Sequence, residues 1–197
     1  MKNKFITFFL ILLFGFSGLN QILADEFIFE VTDLEITDNG NIYKGNKRGT
    51  IRTDNHLKLI SNNFEYLKKI NRLEANGDVQ LFDIKNDIII NAQQVFYLKN
   101  EEKIFTVGKT LIKISDKYNI EGYDLILLKN KMILSSKKNA TITDSELNKY
   151  KLEQFQYSID KEILKGENII AITNNKENKG DEFFFQTGFF NLKKNTF

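Results

Sequence analysis

Residues 73–83 read LEANGDVQLFD, and the same arrangement of apolar and polar positions returns three times. It recurs as IFTVGKTLIKISD at 104–116, ILSSKKNATITD at 133–144 and ILKGENIIAIT at 163–173. Each copy starts apolar, passes a glycine or lysine that reads as a turn, and continues as a strand-like run. With Gly45, Gly77, Gly108, Lys138, Gly166 and Gly188 as equivalent marks, the spacings are 32, 31, 30, 28 and 22 residues. Four residues after the mark stand Leu81, Ile112, Ile142, Ile170 and Leu192, with Gly49 in the first copy. The neighbouring phase is mixed. An apolar column beside a mixed one is the pattern of a half-buried strand.

The upstream half repeats too, with Phe64 and Tyr66, then Val95 and Tyr97, then Leu125 and Leu127. Phe155 and Tyr157 hold the corresponding place in the copy around Gly166, two residues closer to the mark. Polar segments separate the halves: KKIN at 68–71, KNEEK at 99–103, KNK at 129–131 and DKE at 160–162. None of these stretches sustains a helical period. The pattern predicts an all-β chain of repeated antiparallel strand pairs that stack because no unit can bury its own apolar face. The stack is solenoid-like and folds over a continuous apolar trough. A two-sheet sandwich with a closed side-chain core fits the same periodicity, which does not separate the two.

The N-terminus follows a different rule. Lys2 and Lys4 precede a twelve-residue run, Phe5 to Phe16, broken by Thr7 and Gly15, and then SGLNQILA ends at Ala24. A positive start, a short apolar centre and a small residue before the cut predict a signal peptide over 1–24. The apolar run falls short of the ~20 residues of a membrane span. The expected mature domain is 25–197, one β unit with length enough for a core. Without Lys2 and Lys4 it carries 26 basic and 26 acidic residues, a balance that argues against nucleic acid as a partner. Lysines such as Lys99, Lys113, Lys129 and Lys151 are scattered singly, as on solvated strand faces. The absence of cysteine from the chain leaves an exported domain dependent on its core and strand pairing.

The residues offer little chemistry. The lone His56 lies in the polar stretch TDNHLKL, and without a second histidine or any cysteine it cannot anchor a typical zinc site, so no metal is expected. No serine sits in a nucleophile-elbow context. GNKRGT at 45–50 lacks the Lys-Ser/Thr ending of a phosphate loop and reads as a turn. Asp83, Asp87, Asp116 and Asp144 fall at strand ends, where aspartate forms turns. No catalytic residue and no cofactor is expected, and the chain reads as a binding protein. An exported β-helix enzyme acting on polysaccharide is the enzymatic alternative.

Leu73-Glu-Ala75-Asn-Gly77-Asp-Val79-Gln-Leu81, with Ala92, Val95, Tyr97 and Gly108 in IIINAQQVFYLKNEEKIFTVGKTLI at 88–112, resembles the organic-solvent-tolerance (OstA-like) family. That family comprises the periplasmic lipopolysaccharide bridge protein LptA and the N-terminal periplasmic domain of the outer-membrane assembly protein LptD. The resemblance covers about 27–192. Lys138 departs from the family's glycine, and Thr106 and Ser136 depart from its alanine. The resemblance implies a twisted, open jelly-roll of V-shaped strands that carries lipopolysaccharide across the periplasm to the outer membrane with acyl chains between its sheets. The tail DEFFFQTGFFNLKKNTF resembles the late part of the assembly protein's N-terminal domain, and its abrupt end suggests a truncated chain. A free-standing bridge protein is the alternative.

The expected lining of the trough is Phe64, Tyr66, Val79, Leu81, Val95, Tyr97, Ile112, Leu125, Leu127, Ile142, Phe155, Tyr157 and Ile170. The first strand, with Phe27, Phe29 and Val31 in one phase, is the expected docking edge for a periplasmic bridge protein through strand pairing. If the chain is a fragment, an outer-membrane barrel and its lipoprotein partner complete the set of partners.

Overall fold

The computed structural model describes residues 27–53, 56–174 and 180–193; the expected signal peptide lies outside them. Strands joined by short turns dominate the described chain: β1 Ile28–Glu30, β2 Glu35–Thr37, β3 Ile42–Gly45, β4 Gly49–Arg52, β5 Leu57–Ser61, β6 Asn63–Leu67, β7 Arg72–Asp83, β8 Ile88–Leu98 and β9 Lys103–Ile114. Then follow β10 Tyr118–Tyr123, β11 Ile126–Leu128, β12 Ile133–Ser136, β13 Ala140–Asp144, β14 Lys149–Leu152, β15 Gln154–Ser158, β16 Ile163–Ile172 and β17 Glu182–Asn191. All pairings are antiparallel.

The long strands belong to two walls at once. Residues 72–76 of β7 pair with β6, whereas 80–83 pair with β5. Likewise 109–114 of β9 pair with β10, whereas 103–105 pair with β11. One wall therefore runs β1–β4–β5, the far half of β7, then β8, β9, β10, β13, β14 and one half each of β16 and β17. The other runs β2–β3–β6, the near half of β7, then β8, β9, β11, β12, β15 and the remaining halves of β16 and β17. The two are joined along a crease.

The crease is where the glycine marks lie. They were expected at turns between strands, but Gly77 and Gly108 stand inside β7 and β9 at φ +77° and +79°. Asp78, Asp124 and Asn168 take positive φ on the same line. The register of β7 against β8 slips between Asn76 and Val79, and that of β8 against β9 between Ala92 and Gln94. A bulge of this kind bends a strand and increases its twist, and residues at positive φ are favoured there when they are glycine, asparagine or aspartate. The bend converts each long strand into a V.

The chain reverses at the polar segments. Lys68–Ile70, Lys99–Glu101 and Lys129–Lys131 each form one 3-10 turn, capped by a left-handed residue at Asn71, Glu102 and Met132. Successive turns are bonded to one another: Lys99 N donates to Asn71 O (3.0 Å), Lys129 N to Glu102 O (2.8 Å) and Ile159 N to Met132 O (2.9 Å). This ladder accounts for the period of about thirty residues. Each repeat is one V-shaped pass out and one back.

Candidate functional site

The inner faces of the walls meet in one continuous core. Leu73, Ala75, Val79 and Leu81 of β7 point into it, as do Ile88, Ile90, Ala92, Val95 and Tyr97 of β8. Of the expected lining residues, Phe64, Tyr66, Val79, Leu81, Val95, Tyr97, Ile112, Leu125, Leu127, Ile142, Phe155 and Tyr157 are all buried in this cluster. Their side chains fill the space between the walls. Residues such as Leu73, Ile90, Ile104, Ile120, Leu134, Tyr150 and Leu164 share the same face and were not singled out from the sequence, although they lie in step with those that were.

Ile170 is the exception. Its neighbours Ile169 and Ala171 are buried in the core, whereas Ile170 is half-exposed on the outer face. The first buried position after the bend lies four positions beyond the last one before it, Val79 after Ala75 in β7 and Thr110 after Thr106 in β9, so the inner phase is preserved across the crease. β16 bends at Asn168, φ +48°, after which the inner positions shift by one, from Leu164 to Ile169. A fixed offset from the glycine therefore selects the wrong face.

The side chains of the expected docking edge face the core. β1 is the end strand of its wall, paired to β4 through Ile28–Arg52, Phe29–Ile51 and Glu30–Thr50. Phe27 is buried, however, with its ring 4.6 Å from that of Tyr66 in edge contact. Phe29 stacks against Tyr43 and Phe64, both at 5.3 Å. Val31 lies beyond β1 and packs on the core. These side chains plug one end of the cleft, and what β1 offers a partner is its backbone and the exposed Ile28.

The buried polar side chains lie along the crease and the lips. At the crease, Asp124 accepts from Gly108 N (2.7 Å) and pairs with Lys138, whose ammonium holds the carboxyl below its ordinary pKa. Thr106 and Ser136, the departures from alanine, are buried there: Leu125 N donates to Thr106 Oγ1 (3.0 Å) and Ser136 Oγ donates to Tyr123 O (2.7 Å). The GNKRGT segment carries Arg48, paired to Asp78 at 2.8 Å. At the lips, Lys117 Nζ lies 2.7 Å from Glu162 Oε1, and Tyr118 donates to Glu162 Oε2 at 3.0 Å. The lysine holds the Glu162 carboxyl below its usual pKa, whereas burial raises the Tyr118 and Tyr157 hydroxyls. Lys129, read from sequence as a solvated lysine, is instead buried beside Asp83. Asp83 does act as the turn former expected of it, accepting from Asn86 Nδ2 at 2.9 Å. His56 is exposed at φ +61° in the turn before β5.

No protein-family model matches the chain, and no curated protein does. Among solved structures the chain is similar to LptH, the LptA-homologous periplasmic component of the lipopolysaccharide transport device of Pseudomonas aeruginosa. The identity is 9% and the TM-score 0.42, over 82% of this chain and 94% of that one.

Proposed function

We propose that this chain is a periplasmic lipid conduit that receives the acyl chains of lipopolysaccharide between its two walls and passes the molecule toward the outer membrane. The observation that carries this reading is the continuous, largely apolar inner face, which runs from Phe64 and Tyr66 through Leu81, Ile112 and Ile142 to Leu164. Such a face accepts hydrocarbon without specific hydrogen bonds. Each buried methylene contributes about 0.8 kcal/mol, so a dozen would contribute roughly 10 kcal/mol before the costs of association. The resemblance of 73–81 and 88–112 to OstA-like sequences supports the choice of lipopolysaccharide, and the charge-balanced exterior suits a soluble carrier rather than a nucleic-acid binder.

Within this reading the N-terminal periplasmic domain of the outer-membrane assembly protein is favoured over a free-standing bridge. The aromatic wording of 181–193 supports that choice. A bridge protein would join by strand addition at the β1 end. Native protein detected by an antibody to this chain should run far above 197 residues in size and fractionate with the outer membrane; a soluble periplasmic species of about that size would favour the bridge. The lipid reading is tested by mass spectrometry of the protein purified from a Gram-negative periplasm. Co-purified lipid A is expected, and repeated preparations free of it would overturn the proposal.

A further inference from the structure

The mouth of the V, where the two lips meet, is closed by charged side chains. Lys129 Nζ, on the lip of the wall that holds β11, lies 3.6 Å from Asp83 Oδ2 on the lip of the opposite wall and 3.7 Å from Glu102 Oε2 beside it. The Lys129 side chain is 8% exposed and that of Asp83 1%. Lys117 and Tyr118 make the second crossing, to Glu162. These contacts cannot arise within one wall. Drawn out straight, β7 would place Asp83 roughly 37 Å from Arg72, and Lys129 follows β11, which joins β7 near its Arg72 end through β9 and β8. Lys129 reaches Asp83 only because the strands fold back on themselves.

We propose that these contacts are latches of a gated mouth, with Lys129 as the pin of the more buried one, and that the walls part about the crease to admit hydrocarbon from the side. The purpose assigned to the gate rests on the conduit reading above; the gate itself does not. A mouth sealed by apolar side chains would resist opening, because each would be exposed to water. A charged seal behaves differently: its members regain hydration when they separate, which offsets most of the attraction lost. Apolar groups of similar volume would seal such a position at least as stably, so a buried pair at the lip suits a contact that has to break. The crease supplies the hinge, at Gly77, Asp78, Gly108, Asp124 and Asn168. A recess of about 850 Å³, lined by His56, Asp83, Lys85, Glu102, Lys129 and Met132, lies over the Lys129 latch and leaves room for a polar head outside the core.

The test uses the exposed Lys85 and Lys131, one on each lip, as the sites of two cysteines in a chain that has none. Spin labels there report the width of the mouth. Removing the pin with Lys129→Ala together with Asp83→Asn leaves no buried charge unpaired and no side chain long enough to span the lips, and should shift the distance distribution to longer values. Uptake of cis-parinaric acid, a fluorescent acyl probe, should become several-fold faster. Neutralising Lys109 and Glu121, an ion pair at 2.6 Å within one wall, should change neither. In the otherwise native chain, joining the two cysteines with a short bis-maleimide should slow uptake several-fold, which keeps the test intact if the neutral variant does not fold. An unchanged distance distribution in a folded neutral variant, or unchanged uptake in the joined protein, would overturn the gate. A mouth that widens without any uptake of the acyl probe would uphold the latch and sink the lipid reading.

Discussion

The Phe29 ring lies nearly parallel to that of Phe64, at an interplanar angle of 18° and a centroid distance of 5.3 Å. Phe29 belongs to the first described strand and Phe64 to the sixth, so the ring pair joins the end of one wall to the other. Offset aromatic pairs of this kind add about 0.5–1.5 kcal/mol beyond the area they bury. Phe29→Asp should therefore destabilise the whole domain, by about 3 kcal/mol on the scale of phenylalanine truncations. Thermal melts should show a markedly lower Tm. A variant that melts like the parent would mean that Phe29 faces outward, as the first strand's sequence alone suggests.

That strand shows where sequence reasoning ends. Period-2 alternation identified the strands, and the polar KKIN and KNEEK segments identified the reversals, because both are local. The V was not local. Gly77 reads as a turn residue on its own, and its place inside β7 follows from pairing of the two halves of that strand with different neighbours. The phase of Ile170 was lost for a related reason: the bend of β16 lies at Asn168, and an asparagine at positive φ leaves no mark that separates it from any other asparagine. Lys129 was illegible because its partner is forty-six residues away and on the other wall. Phe27, Phe29 and Val31 were placed in one phase correctly, but an end strand with an apolar face looks the same whether that face meets a partner or its own core.

Gly77 and Gly108 should respond differently to substitution. Both hold left-handed backbone, which costs an L-residue about 1–2 kcal/mol. A Cβ on Gly77 would also stand 2.9 Å from Asn62 Nδ2 and 3.1 Å from its Cβ, whereas Gly108 has open space around it. Gly77→Ala is expected to be the more destabilising of the two in urea unfolding. Gly108→Asn should recover much of the loss of Gly108→Ala, since asparagine tolerates this region better. Equal costs at both positions would argue against the crowding at Asn62.

The Glu162 latch should weaken in acid. Lys117 holds the Glu162 carboxyl below its ordinary value of 4.5, with help from Tyr118 and Lys193. A carboxyl whose folded pKa is depressed contributes stability above its unfolded value and loses it as pH falls through the folded value. The lip contact is thus at full strength at neutral pH and declines below about pH 4.5. Tyr118, whose hydroxyl is pushed up by burial, does not itself titrate in this range; it loses a charged acceptor when Glu162 is protonated. The protection factor of the 159–162 turn, its exchange rate corrected for the intrinsic pH dependence of amide exchange, should fall below that pH in the parent, and Glu162→Gln should remove most of this change. A protection factor that stays constant across this range in the parent would show that the contact does not hold the lip.

The inner phase of each strand makes the sharpest demand on the lipid reading. Ile112 is 3% exposed and faces the core, while its neighbour Lys113 projects outward and pairs with Asp116 at 2.7 Å. A photo-crosslinking residue at 112 should capture lipopolysaccharide, and one at 113 should capture little. β16 supplies the discriminating pair, because its bend reverses the phase expected from the glycine marks: position 169 should label strongly and position 170 weakly. Crosslinking that follows the fixed offset, strong at 170 and weak at 169, would mean that β16 bends elsewhere. Equal labelling at both members of both pairs would mean that lipid coats the outside, and the space between the walls would then be no more than a core.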